Sequence, residues 1–98
     1  MAEIKWSPSA VADLEAICNY IARDSEYYAA NFAKNIIARI ELLVKFPEAG
    51  RIVPEYDDTH IREIIYSNYR VIYRLKKSLI EIVRITHSAR LLPEDKPG

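Results

Sequence analysis

Polar and apolar positions alternate over Glu3-Ile4-Lys5-Trp6, which predicts a short strand. Ser7-Pro8 then stops it. A serine at the N-cap followed by proline at the first helical position starts a helix. Val11, Leu14, Ile17, Cys18 and Ile21 recur at three- and four-residue steps, the apolar stripe of an amphipathic helix from about Pro8 to about Arg23. Asp24 or Ser25 can cap a second helix, with a stripe of Tyr28, Phe32, Ile36, Ile40, Leu43 and Val44 and with Pro47 as its stop. The short connection predicts an antiparallel helical hairpin.

Phe46 to Asp58 carries Pro47, Gly50, Pro54 and acids, and reads as a loop. The period then changes from helical to two. Ile61–Tyr66, Tyr69–Leu75 and Leu79–Thr86 are rich in Ile, Val and Tyr and are parted by Ser67-Asn68 and Lys76-Lys77-Ser78. Two tight hairpins predict a three-stranded antiparallel meander. The expected fold class is α+β in two layers, a helical hairpin covering one face of the sheet. Along the middle strand, Tyr69, Val71, Tyr73 and Leu75 share the face expected to meet the helices, and Arg70, Ile72 and Arg74 share the open one. Leu14, Ile17, Ile21, Phe32, Ile36, Ile40, Val71 and Tyr73 are the expected core. Trp6 and Tyr20 are expected to pack between helix and sheet. Tyr27, Tyr56 and Tyr66 are expected to be exposed or covered by a partner. Ile64 and Ile72 fall beside arginines, so the open face should be partly buried by something else.

Ninety-eight residues leave room for a single domain, 1–98, with residues 91–98 expected as a flexible tail. Cys18 is the only cysteine, which excludes an intrachain disulfide, suits a cytoplasmic home and places the thiol in the core. No apolar run approaches a membrane span, and no signal-peptide pattern opens the chain. Two distant histidines and one cysteine make no metal-ligand constellation, so neither a metal nor a cofactor is expected.

Net charge is zero but unevenly distributed. Residues 1–59 carry six bases and ten acids, a balance of −4. Residues 60–90 carry seven bases and two acids, +5. The last eight residues contribute −1. A basic C-terminal half on a neutral chain predicts one anion-seeking surface, not a protein that coats nucleic acid generally.

Six short motifs follow one another along nearly the whole chain. They are Trp6-Ser7-Pro8-x-Ala10-x-x-Asp13-Leu14, Asn19-Tyr20-Ile21-Ala22, Phe46-Pro47-x-x-Gly50-Arg51, Arg62-Glu63-Ile64, Asn68 to Arg74, and His87-Ser88-Ala89-Arg90. In this order the chain resembles the ParE/RelE superfamily, the toxins of type II toxin–antitoxin and plasmid-stabilisation modules, and the ParE branch more than the RelE branch. The resemblance implies that the N-terminal strand lies beside the last strand of the meander. It also implies a cognate antitoxin as partner, within a toxin–antitoxin hetero-oligomer or with a homodimer as rival. The target would be DNA gyrase in the ParE manner. The alternative is a ribosome-dependent messenger-RNA endoribonuclease of RelE type, and a second alternative is a degenerate toxin that only binds its antitoxin.

Metal-free RNA cleavage needs a base for the 2′-hydroxyl, cations for the developing phosphorane charge and an acid for the leaving oxygen. By resemblance, Arg70, His87 and Arg90 match the arginine and histidine positions of RelE-like ribonucleases. Ile61 and Glu63 stand where those enzymes carry lysines, which points away from the ribonuclease. Arg62, Arg70, Arg74, Arg84 and Arg90 are the candidate target- or partner-binding residues. Each also has a structural reading. Arg70 could pair across strands with Glu63 or Glu81, Arg62, Arg74 and Arg84 could be solvated sheet charges, and His87 could be a hydrogen-bonded strand-end residue. His60 is read as a loop residue.

Overall fold

The computed structural model describes residues 2–94. Strand β1 (Glu3–Trp6) leads into helices α1 (Pro8–Ala22) and α2 (Glu26–Glu41), then β2 (Arg51–Ile52), β3 (Ile61–Tyr66), β4 (Tyr69–Lys76) and β5 (Leu79–His87). Both helices start as their caps dictate. Ser7 Oγ accepts the Ala10 N–H at 3.0 Å and Ser25 Oγ accepts the Tyr28 N–H at 3.1 Å. Helix α2 gives way to a 3-10 turn over Leu42–Val44 before Pro47 is reached. That tightening buries Leu43.

The five strands form one sheet in the order β1-β5-β4-β3-β2. β1 runs parallel to β5, and the remaining pairs are antiparallel. The meander expected from the sequence is therefore present, with β1 beside its last strand. β2 is an addition, because a two-residue strand within a loop has no periodicity to reveal it. It forms by pairing Arg51 with Glu63 and Ile52 with Arg62. Ser67, in the tight β3–β4 turn, takes a φ of 54°.

The helices cover one face. Ile36, Ile40, Leu43, Val71, Tyr73, Ile80, Ile82 and Ile85 form its buried core, and Leu14, Ile17, Phe32 and Trp6 pack against them half-buried. Several expectations need correction, among them Ile64, which packs against this helix-covered core and not on the open face. Val11 is 41% exposed, Tyr20 66% and Tyr28 67%. The fully inward positions of the helical hairpin are instead Ala10 on α1 and Ala29, Ile36 and Ile40 on α2. Tyr66 is half-buried by its own chain, edge-on to Phe32 and beneath the Arg39 guanidinium.

Between Ile72/Arg84 and Tyr73/Ile82 the β4–β5 register slips, leaving Val83 as an extra residue on β5. A bulge frees backbone groups that need partners. Ser7 Oγ donates to the Val83 carbonyl at 2.9 Å and Ser7 N–H donates to the Ile82 carbonyl. Asp13 accepts the Ile85 N–H at 2.9 Å. The Ser7-Pro8-x-Ala10-x-x-Asp13 motif thus joins α1 to the bulge.

Candidate functional site

The face of the sheet turned away from the helices is where the sequence places Arg70 and Arg74. Val53, Ile61 and Ile72 are buried there, with Tyr56, Val83 and Leu92 packed on them. The apolar side chains left over on this face are thus partly covered by the chain itself, through the β2–β3 loop and the segment after β5. Of the expected tail, residues 91–94 are described and 95–98 lie outside the described residues. Tyr56 Oη donates to the Pro93 carbonyl at 2.8 Å, and Glu55 accepts the Leu92 N–H at 3.2 Å.

Beneath this strap runs a chain of alternating charges. Arg70, 4% exposed, donates from Nε to Glu63 at 2.6 Å. Its Nη1 and Nη2 reach the two oxygens of Glu55 at 2.7 and 2.8 Å, a bidentate fork, and Nη1 also reaches the Arg90 carbonyl at 3.1 Å. Glu63, 1% exposed, takes its second bond from Arg51 Nε. The fork from Arg70 holds the Glu55 carboxyl down at about 2, against an ordinary 4.5. The same partners push the Arg70 pKa upward, first among them Glu55.

The sign of the pH effect follows. A carboxylate with a lowered folded pKa contributes stability that is complete above its ordinary pKa and is lost as pH falls through the folded one. The Glu55 contribution should therefore be intact in neutral and mildly acid solution and fade from about pH 4.5 toward about 2. Urea midpoints measured across that window should fall less steeply for Glu55→Gln than for the parent. Parallel curves would show that Glu55 carries no such linkage.

The other candidate residues are engaged differently. Arg62 spends its guanidinium on the carbonyls of Thr59, Glu48 and Gly50 and so pins the loop before β2. Arg74 pairs with Glu81 at 2.9 Å, while its Nε is buried without an acceptor among the described residues. Arg84 forms a two-pronged pair with Asp13 at 2.8 and 3.2 Å, and that pair raises its pKa. His87 is exposed, its Nδ1 accepts the Ala89 N–H at 3.2 Å, and its ring stands edge-on to Tyr69. Arg90 is exposed, and its side chain makes no ion pair among the described residues. With Arg84 it lines a depression of about 460 Å³ floored by Ile72, Val83 and Leu92. His87 does not line it. The structure therefore brings Arg84 and Arg90 to one depression that Arg62, Arg74 and His87 do not line, although the Arg90 N–H donates to the His87 carbonyl at 3.0 Å.

Sequence reasoning missed Glu55. It is one acid among several in a loop, and its partner lies fifteen residues away on β4. It also missed why Gly50 stands in Phe46-Pro47-x-x-Gly50-Arg51. Tyr73 Oη donates to the Pro47 carbonyl at 2.8 Å and accepts the Gly50 N–H at 2.9 Å. A Cβ on residue 50 would lie 2.5 Å from the Glu63 carbonyl oxygen and 2.6 Å from Tyr73 Oη, so only glycine fits. Burial pushes the Cys18 thiol pKa up, which favours its protonated form. Among the described residues no three His, Cys, Asp or Glu side chains gather as a metal site, and no helix is long and apolar enough to cross a membrane.

Comparison with known proteins adds three findings. The family model of the ParE toxin of type II toxin–antitoxin systems, parDE, matches residues 4–92. Toxin RelE2 of Caulobacter vibrioides is 35% identical over 92 residues, which cover 93% of this chain and 100% of that protein. Two solved structures share the architecture. A chain from the chromosomal ParDE toxin–antitoxin system of P. aeruginosa superposes with a TM-score of 0.73 at 26% identity, covering 89% of this chain and 96% of that one. A chain from the E. coli DinJ–YafQ complex gives 0.52 at 14% identity, covering 91% and 96%, a likeness of fold alone.

Proposed function

The chain belongs to the ParE toxin family of type II toxin–antitoxin systems, and from that premise we propose that it acts by binding DNA gyrase, performs no chemistry of its own, and is neutralised by a cognate antitoxin. The observation that carries the gyrase reading is the state of Arg70. Its Nε, Nη1 and Nη2 all donate within the protein. With Arg51 and the two carboxylates it forms a network of net charge zero, not the positive charge that a phosphorane needs. Recruiting Arg70 to a scissile phosphate would leave Glu55 and the buried Glu63 without their main cation. An antitoxin partner is supported by the ParDE toxin–antitoxin system named for one structural neighbour.

A messenger-RNA endoribonuclease is the second reading. The name of the 35% identical relative, RelE2, favours it, as do exposed His87 and Arg90 near the exit of β5. One experiment separates the two. The toxin is induced in cells, supercoiling and the DNA-damage response are followed, and transcript ends are mapped alongside. The gyrase reading calls for altered supercoiling, intact transcripts, and no RNA phenotype from His87→Ala or Arg90→Ala. Ribosome-dependent transcript cutting that these changes reduce by about a hundredfold or more, the scale of a lost acid–base group, would overturn it.

A further inference from the structure

The +5 balance of residues 60–90 does not become a broad basic surface. Arg70, Arg74 and Arg84 are paired with carboxylates and Arg62 with backbone carbonyls. Lys76, Lys77 and Arg90 remain without an ion pair among the described residues. Two of these three stand together. Lys76 ends β4 and Lys77 lies in the turn to β5, both exposed. They line a depression of about 840 Å³ whose other wall is Phe46 to Ala49, with Leu75 and His60 between.

Phe46 is 60% exposed in that wall, a large apolar group held in water. The wall is pinned. The Pro47 carbonyl and Gly50 N–H are fixed on Tyr73, the Glu48 and Gly50 carbonyls on Arg62, and the Ala49 N–H on the Phe46 carbonyl at 3.0 Å. Opposite, the Leu75 N–H is held by the His60 carbonyl at 2.7 Å. A preformed surface with an aromatic anchor and unpaired cations loses little freedom on binding.

We propose that the depression between Phe46 and the Lys76-Lys77 turn is a docking site for an acidic, amphipathic segment of the cognate antitoxin, its carboxylates on the lysines and an apolar side chain against Phe46. The proposal rests on the toxin–antitoxin reading above. Charge complementarity selects the occupant. Two lysines beside Glu48, with no free arginine in the depression, are too few for a phosphate backbone, whose affinity comes from many cations acting together.

The test uses the full chain and the product of the small gene adjoining its own, each purified and then mixed. Affinity is measured at low and moderate salt for the parent, for Lys76→Glu/Lys77→Glu and for Phe46→Ala. All three positions are exposed, and unchanged circular-dichroism melts verify that the variants fold. Each variant should bind at least about tenfold more weakly. The double lysine variant should lose association rate and salt sensitivity, and Phe46→Ala should mainly speed dissociation. Amides of residues 45–49 and 75–77 should gain hydrogen-exchange protection in the complex. Parental affinity in both variants would overturn this site and leave the toxin–antitoxin reading standing. No binding even by the parent would overturn both. Lysine-dependent binding of an RNA oligonucleotide, with antitoxin affinity unchanged, would assign the surface to nucleic acid and also overturn the proposal.

Discussion

Truncating Glu63 to alanine is expected to lower folding stability by about 3–5 kcal/mol, the scale for breaking a buried ion pair by removing one partner. The carboxylate is 1% exposed and receives Arg70 Nε on one oxygen and Arg51 Nε on the other. Without it, Arg70 stays buried with its Nε unpaired and only the Glu55 fork and the Arg90 carbonyl left to it. Arg51 should matter far less, because its side chain is 62% exposed and water can replace its partner. Urea denaturation of Glu63→Ala, Arg51→Ala and the parent measures the asymmetry. A loss below about 1 kcal/mol for Glu63→Ala would mean that Arg70 finds water and that the network is not buried in solution. The double change Glu63→Leu/Arg70→Met should recover much of the loss, since similar apolar volume often replaces a buried pair without penalty. Glu55, freed by that change, has 21% of its side chain exposed and can turn to solvent.

Tyr73→Ala is expected to cost a similar amount, about 3–5 kcal/mol, by emptying the centre of the helix-covered core. Tyr73 is completely buried among Ile36, Ile40, Val71, Ile80 and Ile82. Its hydroxyl adds a second function, because it ties the Pro47 carbonyl and the Gly50 N–H to the sheet. Tyr73→Phe separates the two contributions. It keeps the ring and leaves both backbone groups unpaired, at about 1–3 kcal/mol. Thermal and urea melts of the two variants give the ring and hydroxyl shares by difference. If Tyr73→Phe were neutral, the loop before β2 would be held by Arg62 alone.

These two side chains show how differently fold and site are written in the chain. Tyr73 could be assigned to the core because it alternates with Arg74 and Ile72 on a strand, and parity along a strand is local. Ile36 and Ile40 were legible for the same reason, one helical turn apart. Tyr28 kept the same helical spacing and still points to water, since spacing finds a stripe but cannot say where along the helix the neighbouring layer ends. Arg70 and Glu63 were placed on the correct strands, and their pairing was one of the readings the sequence left open. Nothing local marked Glu55 as the second partner, because the bond spans a loop whose path has no period.

The chain's alternations, caps and turn residues determined by themselves that there would be two helices over an antiparallel meander, in what order, and with which faces inward. These are short-range consequences of backbone geometry and of burying apolar stripes. Family membership was equally legible, as six ordered motifs. The tertiary structure alone decided what the charges do. A run of residues with a balance of +5 folds so that Arg70, Arg74 and Arg84 meet Glu55, Glu63, Glu81 and Asp13, drawn from both halves of the chain. Attraction between charges acts across space and falls off with distance there, not along the sequence. Only folding therefore reveals which cations are neutralised and which, as at Lys76, Lys77 and Arg90, have no ion pair among the described residues.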